Sequence, residues 1–437
     1  MTRPGGVWQN WGRSQKVRPY QVEFPADEQA VRRAVAAASA RSLTVKAVGA
    51  GHSFSGIAVA AGVLLDLREL RGLVSVDRER SRVRLRAGTR LYEIPGLLSP
   101  YGLAMTNLGD IDRQTIAGAI STGTHGTGAA YGGISTQVVA ATLVIGGGEV
   151  ITIDEHNEPE LLPAVALGLG ALGVLVDVTL QCEPAFVLEA VERPEPLAEV
   201  LADVHDRAAA VDHFEFYWFP HTDDAVTKAN LRRGTTAARA PLPPLRRWVD
   251  ETLLANGVFR VTCAAGTVVP ALVPPVSRIA SRLMGDRSYA DVSHRVFTQS
   301  RTVRFREMEY AIPAIELEPA FRAVRELVDA SGWRISFPLE VRFAASDDLW
   351  LSTAAGRDSA YIAVHRYWRE DPTEYFGAVE EILRGFGGRP HWGKEHSLDE
   401  RDLRALYPRF DDFLAVRERF DPRRSFVNPY LARVLGG

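Results

Sequence analysis

The order of apolar and polar positions divides the chain into two parts. In the first, residues 18–24 read as a short strand ended by Pro25. Asp27 then caps a helix over Glu28–Ala40, alanine-rich and with apolar positions three and four apart. A strand follows at Thr44–Val48. Shorter strands at Val63–Leu67, Leu73–Val76 and Arg82–Arg86 are separated by charged turns. Leu91–Tyr101 reads as a short helix broken near Pro95 and Pro100. Val138–Ile145 and Glu149–Ile153 predict a hairpin across Gly146-Gly147-Gly148. Leu161–Leu167 reads as a short helix and Val174–Gln181 as a strand, and Pro184 closes the unit.

The pattern changes after about residue 185. Leu197–Ala210 reads as a helix and His213–Phe219 as an aromatic-rich strand. Residues 234–248 are proline- and arginine-rich and loop-like. Arg301–Ile312 alternates with period two through Val303, Phe305, Glu307 and Glu309. Pro319–Ala330 and Thr373–Phe386 read as helices, Phe337–Phe343 and Tyr361–Tyr367 as strands. This part is an expected α+β domain on an antiparallel sheet. The region from 225 to 300 carries no usable motif.

Composition narrows the function classes. The chain has 437 residues, enough for about two large domains. Its 46% hydrophobic and 24% charged residues are those of an ordinary globular protein. A net charge of -3, from 51 basic and 54 acidic residues, argues against a nucleic-acid partner. Cys182 and Cys263 lie far apart and form no CxxC, so a metal site or disulfide framework is not expected and a reducing compartment fits. The N-terminal stretch has no apolar signal-peptide core, and no apolar run reaches the length of a membrane span. A soluble, cytoplasmic protein with no integral membrane segment is the expectation.

Two glycine-rich stretches carry the first candidate chemistry. Val48-Gly49-Ala50-Gly51-His52-Ser53-Phe54 follows a predicted strand, and its glycines let main-chain N–H groups approach an anionic group closely. Leu108–Gly128 contains the small-residue segment Ala117-Gly118-Ala119-Ile120-Ser121 and then Thr122-Gly123-Thr124-His125-Gly126-Thr127-Gly128. Hydroxyls of Thr115, Ser121, Thr122 and Thr124 suit pyrophosphate oxygens or ring edges; a small-residue helix packed on a sheet is compatible with the same residues. His125 reads equally as a loop cap. Gly168–Gly173 formally matches GxGxxG, but it follows a helix and precedes a strand, the reverse of a dinucleotide fingerprint.

The Gly-x-Gly-His-Ser loop, followed by Ser-Thr-Gly-Thr-His-Gly-Thr-Gly, resembles the flavin-binding core of the vanillyl-alcohol oxidase superfamily. From residue 18 to 435 the chain is similar to the FAD-dependent aldonolactone oxidoreductases, the L-gulono-1,4-lactone dehydrogenases and D-arabinono-1,4-lactone oxidases. The resemblance implies a PCMH-type FAD-binding domain over residues 1–184. It implies a sugar-lactone substrate (cap) domain over 185–437, with about 415–437 returning to the first domain. It also implies FAD carried covalently by His52 through the 8α-methyl group. The second glycine region holds no cysteine between Asp110 and Gly128, so one link is the most it can make there. Cofactor contacts are expected from Gly49, Ala50, Gly51, His52, Ser53, Phe54, Thr115, Gly118, Ser121, Gly123, Thr124, His125, Gly126, Gly173, Val174, His391 and Lys394.

Flavin oxidation of an alcohol requires a proton acceptor, positive charge near the flavin N1–C2=O edge and exclusion of water. Glu340-Val341-Arg342 presents an acid and a base on one strand face, a charged pair in an apolar strand. An exposed cross-face ion pair is the alternative. The resemblance assigns Glu340 and Arg342 to the sugar hydroxyls. His391-Trp392-Gly393-Lys394 matches the family's HWGK, with Lys394 near flavin and substrate; otherwise it is a polar turn after Pro390. His365, on a neighbouring strand, is a proton acceptor or a satisfied core histidine. In the similar alditol oxidases a threonine stands at that place and a serine at that of Thr115, so the match favours a lactone. Asn428 and Tyr430, in the matching stretch from Phe420, are expected to pack rather than bind. The expected reaction is FAD-dependent oxidation of the C2 hydroxyl of an aldono-1,4-lactone, with molecular oxygen or another electron acceptor. An alditol oxidase and a non-catalytic flavin- or carbohydrate-binding protein are the alternatives.

Overall fold

The computed structural model describes residues 5–283 and 286–437. Three sheets organise it. A small parallel sheet orders β1 (Gln21–Glu23), β3 (Val63–Asp66) and β2 (Val45–Val48), with β3 in the middle. Between β1 and β2 runs α1 (Glu28–Ala40), with the predicted bounds. The Asp27 carboxylate accepts the Ala30 N–H at 2.7 Å, which satisfies a donor the first turn cannot. Val31, Ala34, Val35 and Ala38 are its buried stripe.

The second sheet contains β4 (Leu73–Asp77), β5 (Arg82–Arg86), β6 (Val138–Val144), β7 (Val150–Ile153) and β8 (Val174–Gln181), in the order β7-β6-β8-β5-β4. The predicted hairpin is β6–β7. The small-residue segment is α2 (Ile116–Ser121), with the Thr115 hydroxyl accepting the Gly118 N–H at its start.

The third sheet is antiparallel and eight-stranded. Its strands are β9 (Val187–Pro196), β10 (His213–Trp218), β11 (Asp224–Arg233), β12 (Arg287–Val292), β13 (Phe305–Pro313), β14 (Leu339–Ala344), β15 (Ser359–Tyr367) and β16 (Arg389–Pro390). They run β12-β9-β11-β10-β14-β15-β13-β16. Alternation gives each strand two duties. Leu339, Val341 and Phe343 of β14, with Met308, Tyr310 and Ile312 of β13, enter the main core. That core includes Phe321 of the helix Leu317–Ser331 and Val379 of the helix Thr373–Gly385. On the other face, Glu307 and Glu309 of β13 and Glu340 and Arg342 of β14 line a cavity.

Three differences from the expected elements have physical reasons. Strand β9 contains Pro194 and Pro196, which argue against a strand in sequence. The expected helix 197–210 breaks at Asp203, whose φ of -130° and ψ of 24° leave the helical range. The expected loop 234–248 becomes helical at Pro244 and continues through Val268, because prolines are tolerated in a helix's first turn.

The helix Pro429–Leu435 returns to the first sheets. Its N-cap, Asn428, donates to the carbonyls of Gly56, Ile57 and Val59 at 2.9–3.1 Å. The Val45 N–H donates to Ser425 O at 2.7 Å. Tyr430 donates to Trp392 O and is part of the main core. No helix among the described residues is long and apolar enough to cross a membrane.

Candidate active site

Two cavities meet at the loop after β2. Their linings share His52, Ser53, Gln114 and Thr122. The narrower one, about 100 Å³, is bordered by Gly49, Ala50, Gly51, Thr115, Gly118, Ser121, Gly173 and Val174. The larger, about 400 Å³, lies over the polar face of the eight-stranded sheet.

The narrow cavity is built from backbone. Gly51 has φ +71°, which only glycine adopts without strain. A Cβ at Gly49 would sit 2.3 Å from the Thr115 hydroxyl, and one at Gly173 2.8 Å from Val144 O. Among the described residues, the main-chain N–H groups of Ala50, Gly51, His52 and Ser53 have no protein acceptor. Two of their carbonyls, in contrast, are used: Trp11 N–H donates to Gly51 O and the Asn10 amide to Ser53 O. A glycine turn with unspent donors beside a helix start suits a phosphate-bearing ligand. Gly123 and Gly126 border neither cavity. Gly123 turns the chain at φ +77°, and a Cβ at Gly126 would strike Leu108 O at 2.3 Å.

His52 stacks on Trp11 with ring centroids 5.5 Å apart. Burial, aided by Arg90, Lys394 and Arg113, lowers its pKa to about 4, so the imidazole is neutral near pH 7. Phe54 and Ser55 donate main-chain N–H groups to Gly393 O, and Ser55 Oγ donates to Trp392 O. These bonds clamp the His391–Lys394 turn onto the glycine loop. Trp392 is fully buried and donates to Leu351 O at 2.7 Å. His391 Nδ1 accepts the Gly393 N–H, and burial lowers its pKa to about 3.

The larger cavity is lined by side chains that no short motif links. Glu340 and Arg342 project together from β14, as their spacing predicts, and are ion-paired. Arg342 also reaches Glu215 of β10 at 3.1 Å and Asp110 at 3.6 Å. Arg301 pairs with Asp110 at 2.7 Å, and Lys228 of β11 with Glu215 at 3.4 Å. Burial alone would neutralise these groups. Alternation of sign keeps most of them charged: partial burial opposes the charge of Asp110, yet Arg301 and Arg342 hold its pKa below the usual range. Glu340 is the exception. Burial raises its pKa, Asp110 and Glu215 add to the rise, and Arg342 offsets only part. Tyr217 Oη donates to Glu340 at 3.1 Å.

A second cluster sits on β13. Lys394 is ion-paired with Glu307 and lies 4.0 Å from Glu309. Burial opposes its charge, but the two carboxylates outweigh that and raise its pKa. His365 of β15 directs Nδ1 at Pro338 O, 3.1 Å away, so Nδ1 is the donor and Nε2 is left toward Glu307 at 3.6 Å. His125 stacks on Tyr361 at 3.7 Å, with Nδ1 against Gly126 O at 2.8 Å and Nε2 3.2 Å from Glu309. It is therefore both a loop cap and a wall of the cavity. His125, Glu309 and His391 bring ligand atoms within 4.8 Å of one another, but each histidine's Nδ1 is already bonded to main chain.

Glu340, Arg342, His365 and Lys394 thus face one cavity, together with His52, Ser53, Phe54, Thr124, His125 and His391. Sequence reasoning missed Asp110, Arg301, Glu307 and Glu309, which line the cavity, and Glu215, which pairs with Arg342 and Lys228 outside its lining. Only Glu307 and Glu309 left a signal: two carboxylates two positions apart, on one face of an otherwise apolar strand.

Known proteins match over nearly the whole length. The profile of a D-arabinono-1,4-lactone oxidase family matches residues 178–434, and that of an FAD binding domain matches 19–154. L-gulono-1,4-lactone dehydrogenase of Mycobacterium tuberculosis is 40% identical over 98% of this chain and 99% of its own. L-gulonolactone oxidase of Bos taurus is 33% identical over 98% of each. Cholesterol oxidase from Brevibacterium sterolicum superposes with a TM-score of 0.84 at 18% identity, covering 100% of this chain and 97% of that one, a likeness of fold.

Proposed function

The chain belongs to the D-arabinono-1,4-lactone oxidase family of FAD-dependent oxidoreductases, in a fold of the vanillyl-alcohol oxidase type, and we propose that it oxidises the C2 hydroxyl of an aldono-1,4-lactone. L-gulono-, L-galactono- and D-arabinono-1,4-lactone are the candidate substrates. The observation that carries this reading is the shared wall. Glu340, Arg342, His365 and Lys394 face one cavity, and that cavity opens at His52 into the glycine-lined one.

The glycine cavity fits FAD. The unspent N–H groups of Ala50 to Ser53 would meet its phosphates, with Thr115, Gly118, Ser121, Gly173 and Val174 as close neutral walls. Residues 1–184 hold the cofactor and 185–437 the substrate, with the segment from about 415 folding back. A single covalent bond at His52 is supported by its neutral imidazole, which retains a lone pair for bond formation. When bound, FAD supplies the two-electron acceptor for a hydride from the carbinol carbon.

The protein's own groups do the rest. Arg342 and Glu340 bind the sugar hydroxyls, Arg342 donating and Glu340 accepting. His365 Nε2 takes the hydroxyl proton, and Glu307 faces the cation that results. Lys394, kept charged by Glu307, offers positive charge where negative charge develops on the reduced cofactor. The apolar rings of Phe54, Phe305 and Phe337 exclude water. Molecular oxygen or another acceptor completes the cycle. Two free, buried thiols suit a reducing, cytoplasmic setting.

The decisive experiment is anaerobic titration of the yellow protein with the three lactones and with xylitol. Bleaching by a lactone is expected; bleaching by xylitol alone would overturn the substrate assignment. Acid precipitation of the same sample should leave colour in the pellet, and His52→Ala should release it.

A further inference from the structure

The eight-stranded sheet carries a line of charge across five adjacent strands. Arg342 of β14 stands directly opposite Glu215 of β10, and Glu215 opposite Lys228 of β11. Lys228 stands opposite Glu192 of β9, and Glu192 opposite Arg287 of β12. Directly opposed residues share a face of the sheet, so cation and anion alternate along one line. Arg342 reaches Glu215 at 3.1 Å, Lys228 reaches Glu215 at 3.4 Å and Arg287 reaches Glu192 at 2.9 Å. Burial lowers the Lys228 pKa, but Glu215, Tyr289 and Glu192 outweigh it and leave it raised.

The next row on the same face differs. Glu340 faces Tyr217, Tyr217 faces Val226 and Val226 faces Pro194, with no second charge. The charged line is thus particular to Arg342. Arg342 is also the one member of the line that borders the cavity, while Glu215, Lys228 and Glu192 are buried outside it.

Stability does not account for such a line. Buried ion pairs are seldom more stabilising than apolar side chains of similar volume. What the line provides is placement. Glu215 accepts from Arg342 Nε, and Lys228 holds the same carboxylate from the other side. Lys228 is itself fixed by donation to Val296 O at 3.1 Å. At the far end Tyr289 Oη donates to Glu192 at 3.0 Å, and Arg287 lies 3.4 Å from Asp250. Without Lys228, Glu215 becomes a buried carboxylate short of positive charge, and it draws the Arg342 guanidinium away from the cavity.

We propose that Glu215 and Lys228 are positioning residues of the reaction: neither touches the substrate, and together they set where the Arg342 guanidinium meets the lactone hydroxyls. This rests on the assignment of Arg342 to those hydroxyls.

The test is anaerobic stopped-flow reduction of the yellow holoprotein by whichever of the three lactones bleaches it fastest, read as a half-saturating concentration and a limiting rate. Lys228→Met should raise the half-saturating concentration roughly tenfold and leave the limiting rate within about threefold, because binding rather than chemistry is disturbed. Lys228→Arg, which keeps the charge, should bind nearly as the parent does. The double variant Glu215→Gln/Lys228→Met should recover most of the loss, since the unbalanced carboxylate is gone and an acceptor oxygen remains for Arg342 Nε. If Lys228→Met does not fold, Glu192→Gln replaces it, with an expected rise of about threefold. A parent-like half-saturating concentration in Lys228→Met, or in Glu192→Gln where that replaces it, overturns the proposal, provided Arg342→Met raises it. So does a double variant as weak as Lys228→Met, or a loss of flavin absorbance in step with the loss of binding, which marks general loosening. An Arg342→Met variant that binds lactone as the parent does would instead remove Arg342 from the substrate, and the proposal with it.

Discussion

The two cavities that meet at His52 use opposite materials. The glycine-lined one recognises through main-chain N–H groups and close approach, and its specificity lies in what is missing, the Cβ atoms of Gly49, Gly51 and Gly173. The larger one is walled by charged side chains, with Asp110, Glu307, Glu309 and Glu340 set among Arg301, Arg342 and Lys394. A cofactor that stays bound is served by a rigid, nearly neutral mould. A substrate that reacts is served by groups that, Glu340 excepted, are already ionised and fixed, so that little reorganisation accompanies the reaction.

If that division holds, substitutions in the two cavities should separate turnover from cofactor retention. The largest effect is expected for His365→Gln: lactone turnover falls on the order of 10²–10⁴-fold with flavin content unchanged, read by stopped-flow reduction beside absorbance. Equal loss of colour and rate would erase the division. Glu307→Gln removes the carboxylate that keeps half-buried Lys394 charged. Breaking a fully buried pair from one side costs about 3–5 kcal/mol and this partly exposed one less, so a lower melting temperature is expected together with slower flavin reduction. Unchanged values of both would remove Glu307 from the charged set. Gly49→Ala should act in the other direction. The new methyl overlaps the Thr115 hydroxyl, and an overpacking cost of about 1–3 kcal/mol should lower flavin occupancy while each flavin that remains turns over normally.

Mild acid should sharpen the comparison at the shared wall. The unfolded chain protonates His52 and His391 near pH 6.5, whereas the folded chain protonates them only at about 4 and about 3. Between those values the unfolded state binds more protons, so stability falls as pH falls, by about 1.4 kcal/mol per pH unit per histidine at most. Asp110, Glu307 and Glu309 have lowered values and contribute their loss only at lower pH. Melting curves from pH 7 to 5 should decline, and less steeply in His52→Ala; a flat profile would count against a neutral His52.

The same contrast explains which parts of the molecule are legible in its sequence. The glycine loop, the Asp27 cap and the Glu340/Arg342 pair are local: neighbours in space are neighbours in sequence, and periodicity or turn chemistry gives them away. The charged cavity is not local. Arg342 meets Glu215 across 127 positions and Arg301 meets Asp110 across 191. Such pairs exist only once strand register is set, and register in an eight-stranded sheet is decided by the whole core.

Asn428 gives the molecule a timetable. The carbonyls it secures belong to Gly56, Ile57 and Val59, and the span from Gly56 is 372 positions. At translation rates of about 5–20 residues per second, the ribosome reaches Asn428 roughly 20 to 70 s after Gly56. Until then the wall beneath the glycine loop lacks its fastener. Colour should therefore be acquired late in the life of the nascent chain, and a chain that stalls before residue 428 should emerge pale even though its first two sheets have been made.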